Sequence, residues 1–205
     1  MSFDLDNPYK LGWTLGKFMP FHQGHAWLAD NMITKNDAVL FIVCQHPSEP
    51  MPVEVRKNMI IEFLKSFKEV YPDKPMMVMT YYGDAPQSPD NLDELQSKIF
   101  WTIWKDICNL RLEIAREKLP SNLFQLHLYT GDDYSDKLSL ITHSEWHIVD
   151  RKTFDVSATM IRNNFVENWN LIPKQSQPAL MEWLNQIVWN NWKKTDPQSF
   201  EIIEI

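Results

Sequence analysis

The chain has 205 residues, 44% hydrophobic and 23% charged, a composition that fits one globular domain with or without an appendage and excludes disorder and fibrous arrays. Its 27 Asp and Glu outnumber its 20 Lys and Arg, for a net charge of -7, so the basic footprint of a nucleic-acid partner is missing and there is room only for a local basic pocket. Two cysteines, Cys44 and Cys108, supply neither a disulfide framework nor a CxxC metal site, and the start MSFDLDNPYK is not a signal sequence. No run approaches the roughly 18 apolar residues of a membrane span, so a soluble cytoplasmic protein without a membrane partner is expected.

Residues 11–18, LGWTLGKF, read as a strand that runs into the loop MPFHQGH, and a helix follows from Gly24 to about Lys35. Asn36 and Asp37 break that pattern, and the continuous apolar run 38–44 predicts a strand buried on both faces. After the proline-rich QHPSEPMP, the spacing of Val55, Met59, Ile60, Phe63, Leu64 and Phe67 predicts an amphipathic helix from Val53 to Val70. Residues 76–82 form a third predicted strand, and a long helical pattern from about Leu92 to Leu119 stops at Pro120. A fourth strand is expected at 124–130, closed by the turn-like GDD, and a fifth at 146–150. SATMIRNNF has the Ser start of a short helix, and a last helix runs from beyond Pro178 to about Trp192. This alternation predicts an α/β fold, a Rossmann-like, mostly parallel sheet of about five strands with helices on both faces and ligands outside the carboxyl ends of the strands. Residues 8–180 are expected to form the domain, with 181–205 as a helical extension packed on it.

The stretch GKFMPFHQGH, residues 16–25, sits where the first strand gives way to a helix. His22 and His25 on a tight turn, with Gly24 between them and a helix amino end behind, suit a phosphate site, and Lys17 adds a positive charge. The bland reading is a turn whose histidines only cap helix or strand ends. In VSATMIR, residues 156–162, Ser157 and Thr159 offer hydroxyls and amides at a helix start, with the fork of Arg162 one turn on, again suited to phosphate.

Together these pieces resemble the nucleotidyltransferase superfamily of HIGH-type adenylyl- and cytidylyltransferases, and most closely the nicotinamide mononucleotide adenylyltransferase domain of NadR-type proteins. The similarity rests on GKFMPFHQGH, then WTIW at 101–104, then VDRKTFDVSATMIRNNFVENWNLIP at 149–173, in that order over about residues 11–180. It implies the reaction of ATP with nicotinamide mononucleotide to give NAD and pyrophosphate, with Mg2+, by in-line attack of the acceptor phosphate and without a covalent intermediate. It further implies that His22 and His25 contact the ATP phosphates, with His25 near the α-phosphate, and that Lys17 and Arg162 neutralise charge on the triphosphate and leaving pyrophosphate. Gly16, Phe18, Gly24, Ser157 and Thr159 are placed with the nucleotide-contacting residues. Trp101 or Trp104 resembles the aromatic that stacks on the nicotinamide ring, although two Trp residues three apart also suit a helix core. Arg56 falls where relatives keep an Arg that meets a phosphate, while its position alone equally fits a solvated helix residue. No carboxylate stands out as a metal ligand, so Mg2+ is expected to ride on phosphates and water.

Asp132 and Asp133 in TGDDY receive no role, because the SEE-like wording of relatives is absent there. His143 and His147, four residues apart, lead into a predicted strand and are read as no metal site, and Cys44 and Cys108 as packed thiols. The start leaves no room for a DNA-binding helix-turn-helix, and no GxxxxGK[ST] loop is present, so the other activities of NadR-type proteins are not expected. Trp183, Trp189 and Trp192 are expected either to cover the sheet or to make a subunit contact in a homo-oligomer. Transfer to another phosphorylated acceptor or from CTP, and a non-catalytic nucleotide sensor, are the alternatives.

Overall fold

Eight consecutive buried residues, Ala38–Gln45, form strand β2 in the interior of the sheet, apolar on both faces because helices cover both. The computed structural model describes residues 8–131, 135–149, 153 and 155–195, with their side chains except at 189 and 191–195. Asp132, Asp133, most of VDRKTF, the side chains of Trp189 and Trp192 and residues 196–205 lie outside the described part. Strands β1 (Tyr9–Gly16), β2, β3 (Met76–Tyr82), β4 (Phe124–Thr130) and β5 (Glu145–Ile148) form one sheet in the order β3-β2-β1-β4-β5, parallel at every pairing.

Alternate residues of β2 feed two cores. Val39, Phe41 and Val43 pack with Leu28 and Met32 of helix α1 (Gln23–Lys35), Met59 and Phe63 of α2 (Val53–Lys65), Ile161 of α5 (Ala158–Asn163) and Leu180 of α6 (Gln177–Thr195). Leu40, Ile42 and Cys44 pack with Trp101, Trp104 and Cys108 of α3 (Glu94–Glu117) and Leu138 of α4 (Ser135–Thr142). Trp183 and Leu184 continue the contact of α6 with the first core. Among the described residues no helix is long and apolar enough to cross a membrane.

The boundaries follow local chemistry. Strand β1 starts at Tyr9, paired with Phe124, and ends at Gly16, two residues earlier than expected, because the chain leaves the sheet at Lys17 and Phe18 takes a φ of 48°. Helix α2 stops at Lys65, not Val70, since the Ser66 hydroxyl donates to the Phe63 carbonyl (2.7 Å) and the following amides close tighter turns. Helix α3 opens on a capping box: Asp93 accepts from the Gln96 amide (2.8 Å) and Gln96 accepts from the Asp93 amide (3.0 Å). Helix α4 was not anticipated from the sequence; only eight residues long, it buries Ser135, Leu138 and Thr142, a face with one large apolar side chain. The Lys74 ammonium donates to the carbonyls of Ile33 (2.5 Å) and Asn36 (2.7 Å) and so satisfies the carboxyl end of α1.

Chain order runs from β1 outward through β2 to β3, then returns to the other side of β1 for β4 and β5. The direction reverses between β1 and β4, where a crevice opens at their carboxyl ends. Gly12 of β1 lies against α1 so closely that an added Cβ would stand 2.6 Å from Asn36 Nδ2 and 2.7 Å from Met32 Cγ. Gly12→Ala therefore forces α1 off the strand that positions the crevice, and urea denaturation is expected to show a loss of about 1–3 kcal/mol.

Candidate active site

Helix α1 begins in the crevice with its two histidines as the cap. His22 has extended backbone (φ -137°, ψ 175°), and its Nδ1 accepts from the Gly24 amide (3.2 Å), while His25 Nδ1 accepts from the His22 amide (3.3 Å). This is a capping box built from two imidazoles in place of the usual hydroxyl and carboxamide. An accepting Nδ1 carries no proton, so each neutral ring bears its hydrogen on Nε2 and can donate from that edge. The rings lie face to face, with centres 3.7 Å apart. Gly24 suits this packing, because a Cβ there would stand 3.1 Å from His22 Cε1 and 3.4 Å from Val156, and the imidazole would have to give way by a few tenths of an ångström. The capping reading of the two histidines is thus correct, and it is also what aims them.

The loop before the helix is held from several sides. Phe18, left-handed at φ 48° and buried, packs its ring against His25 (4.9 Å), Phe41 (6.1 Å) and Phe21 (6.2 Å). A conformation unfavourable for a bulky residue is stable only where packing over-determines it. Gly16 lies under that ring, 3.3 Å from where its Cβ would be. Below the loop, Arg56 has no exposed surface; its Nη1 donates to the carbonyls of Lys17 (2.9 Å) and Cys44 (3.0 Å) and to Glu49 Oε2 (3.0 Å). Glu49 Oε1 in turn pairs with Lys17 Nζ at 3.0 Å. Arg56 lines neither cavity of the site, so the structure places it beneath the loop between β1 and α1 as its support, and a solvated helix Arg is not what is found. Burial pulls its guanidinium below the ordinary value and Glu49 acts against that pull.

Helix α5 closes the far side. Ser157 caps it by accepting from the Met160 amide (3.1 Å), Thr159 Oγ1 accepts from Arg162 Nη2 (3.0 Å), and Arg162 Nη1 donates to the Met19 carbonyl. One guanidinium thus joins VSATMIR to GKFMPFHQGH, segments 143 residues apart in the chain. Two adjoining cavities result. The larger, about 440 Å3, runs from Lys17, His25 and Arg162 to Trp101 and Trp104. The smaller, about 270 Å3, lies between His22, Gly24 and Trp27 on one side and Val156 and Ser157 on the other. They meet at His25, Gly131 and Thr159, and their sizes are those of sites for small molecules or cofactors.

Both tryptophans are core residues and cavity walls at once: each is 8% exposed. Trp104 Nε1 donates to the Pro86 carbonyl (2.9 Å), which fixes its ring, and Lys137 Nζ lies 5.1 Å from the centre of the Trp101 ring. Cys44 also touches the larger cavity, but burial pushes its thiol up to about 12 and leaves it unreactive. The sequence did not point to Glu49 or Gln87, and it marked Thr130 and Gly131 only as part of the turn TGDDY after the fourth strand. Three of them enter as lining residues at loop or strand ends, and Glu49 enters by pairing with Lys17.

Comparison with known proteins defines the class to which this site belongs. Residues 13–164, well over half of the chain, match the cytidylyltransferase-like family, and the protein belongs to that family within the nucleotidyltransferase superfamily. Its fold is shared with a NadR protein solved in complex with NR (TM-score 0.59, 21% identity, 84% of this chain and 45% of that one). It is also shared with a bifunctional NMN adenylyltransferase/ADP ribose pyrophosphatase from Francisella tularensis, solved with AMP and a manganese ion (0.51, 16%, 91% and 56%). A third is the Plasmodium falciparum nicotinic acid mononucleotide adenylyltransferase complexed with NaAD (0.51, 10%, 85% and 96%). The chain spans about half the length of the first two.

Removing Glu49 leaves the buried charge of Arg56 uncompensated. Glu49→Ala is expected to lose about 3–5 kcal/mol in chemical denaturation, and Glu49→Gln less, since the amide oxygen still accepts from Arg56.

Proposed function

We propose that this protein is a nicotinamide mononucleotide adenylyltransferase, which transfers AMP from ATP to nicotinamide mononucleotide and releases pyrophosphate. The observation that carries this reading is the larger cavity, with cationic and imidazole donors at one end and two indoles at the other. A triphosphate fits the first end, where the amino end of α1, Lys17, His25 and Arg162 converge. The indole faces suit a flat cationic ring such as nicotinamide. The relatives solved with NR and with NaAD support an acceptor of this type.

In this reading the acceptor phosphate attacks the α-phosphorus of ATP in line, and the chain contributes position and charge. His25, common to both cavities, donates from Nε2 at their junction, where the reacting phosphorus would lie. His22 donates on the side of the smaller cavity. Arg162 and Lys17 take the charge that grows on the leaving pyrophosphate, and Lys17 exchanges Glu49 for phosphate oxygens as it does so. Among the described residues no carboxylate lines either cavity, so a divalent ion fits here as a passenger on ATP, held by phosphate oxygens and water. We propose Mg2+ in that place, and the manganese-bound relative supports divalent metal use.

The family's description as cytidylyltransferase-like favours one second reading, with CTP as donor. Pyrophosphate release and NAD formation, measured with ATP or CTP against nicotinamide mononucleotide and its acid analogue, decide between them: NAD from ATP is expected. His25→Ala is expected to lower kcat a hundredfold or more, on the order of 3 kcal/mol, with the fold intact by circular dichroism. Trp104→Ala is expected to raise KM for the mononucleotide at least tenfold while KM for ATP changes little. Near-wild-type turnover in His25→Ala contradicts the assigned chemistry.

A further inference from the structure

We propose that His127, Glu145 and His147 form a binding site for a divalent transition metal of the zinc class, outside the nucleotide site. The parallel pairing of β4 with β5 sets His127 opposite Glu145 and Tyr129 opposite His147. His127 Nδ1 lies 2.7 Å from His147 Nε2, and Glu145 Oε1 lies 3.6 Å from the same His147 nitrogen. One ligand atom from each of the three residues falls within 4.8 Å of the others. Two imidazoles and one carboxylate, with a side open to solvent for water, are a donor set that zinc takes readily.

The supports that orient metal ligands are also in place. Gln125 Nε2 donates to Glu145 Oε2 (3.0 Å), which leaves Oε1 toward His147. The Tyr129 ring lies along the His147 ring (4.7 Å, 18°), and its hydroxyl accepts from Asn36 Nδ2 (3.0 Å). The two rings are coplanar within 5° and meet head to head, so that one N–H bridges the two facing nitrogens. A cation held at about 2.0–2.1 Å by two imidazoles near the tetrahedral angle needs nitrogens roughly 3.3 Å apart. The metal therefore takes the place of that bridging proton, which moves to the far nitrogen of its own imidazole, and each ring turns by roughly 35° so that its lone pair meets the ion. His147 moves the more easily, since its side chain is 29% exposed on the edge strand, while His127, at 6%, is the more confined.

Such an ion would clip the four-residue edge strand β5 to β4, and β5 runs directly into Val149, which lines the smaller cavity. The sequence concealed the site because its partners come from strand register. The nearer candidate, His143, ends α4 in a left-handed turn (φ 54°) and is not in the cluster.

The test uses the full chain, stripped of metal with EDTA and exchanged into clean buffer, then titrated with Zn2+ by calorimetry and with Co2+ by visible absorption. One equivalent of either ion is expected to bind, with a rise in Tm, and to bind equally in the His22→Ala/His25→Ala double variant. His147→Ala and Glu145→Gln, both at accessible positions, are expected to weaken binding at least tenfold, and Gln125→Ala about tenfold. No saturable binding by the wild type, binding unchanged in both His147→Ala and Glu145→Gln, or loss of binding only in the His22/His25 variant would overturn the proposal.

Discussion

The Gly24 amide donates to His22 Nδ1 and the His22 amide donates to His25 Nδ1, so each imidazole is tied by one nitrogen to the first turn of α1. Everything else about the site follows from that pair of bonds. They satisfy two amides that a helix start leaves without partners, and they fix the tautomer and tilt of both rings. The helix dipole and both histidines then border the smaller cavity, and His25 borders the larger one as well. Structural capping is shown by these bonds, anion recognition by the same arrangement is what we propose, and Gly24 allows the close packing of the two.

That arrangement is only as rigid as the loop leading into it. Arg162 bonds the Met19 carbonyl from α5, and Arg56 bonds the Lys17 carbonyl from beneath. Between these anchors Phe18 is held left-handed by packing. A buried guanidinium with a buried carboxylate is weak evidence of net stability, since desolvation offsets much of the attraction. Its use here is conformational: Arg56 collects carbonyls from the ends of β1 and β2 together with Glu49, and Glu49 sets the ammonium of Lys17 at the cavity.

Much of the fold was legible because its signals are local. The apolar run of β2, the proline after α3 and the strand at 76–82 each carry their own boundary or span in the residues. Helix α4 was not legible, since three buried positions with only one large side chain leave almost no periodic pattern. The same division holds in the site. His22, His25, Lys17 and Arg162 announced themselves by motif, and the structure places all four around two adjoining cavities. Arg56 has the side chain of a phosphate ligand and the position of a buried anchor, a distinction that depends on which carbonyls lie within its reach. Glu49, Thr130 and Gly131 join the site through tertiary packing, and Trp101 and Trp104 show that core residue and cavity wall need not be alternatives.

The central claim is that backbone amides hold both histidines with Nδ1 as acceptor and Nε2–H as donor toward bound phosphate. Nitrogen-15 NMR of the imidazole side chains tests it directly, because protonated and unprotonated ring nitrogens differ widely in shift. At neutral pH His22 and His25 are expected to show unprotonated Nδ1 and protonated Nε2, and addition of ATP with Mg2+ is expected to move both Nε2 resonances while Nδ1 keeps its acceptor shift. A proton on either Nδ1 in the free protein, or rings that do not respond to the nucleotide, would contradict the account.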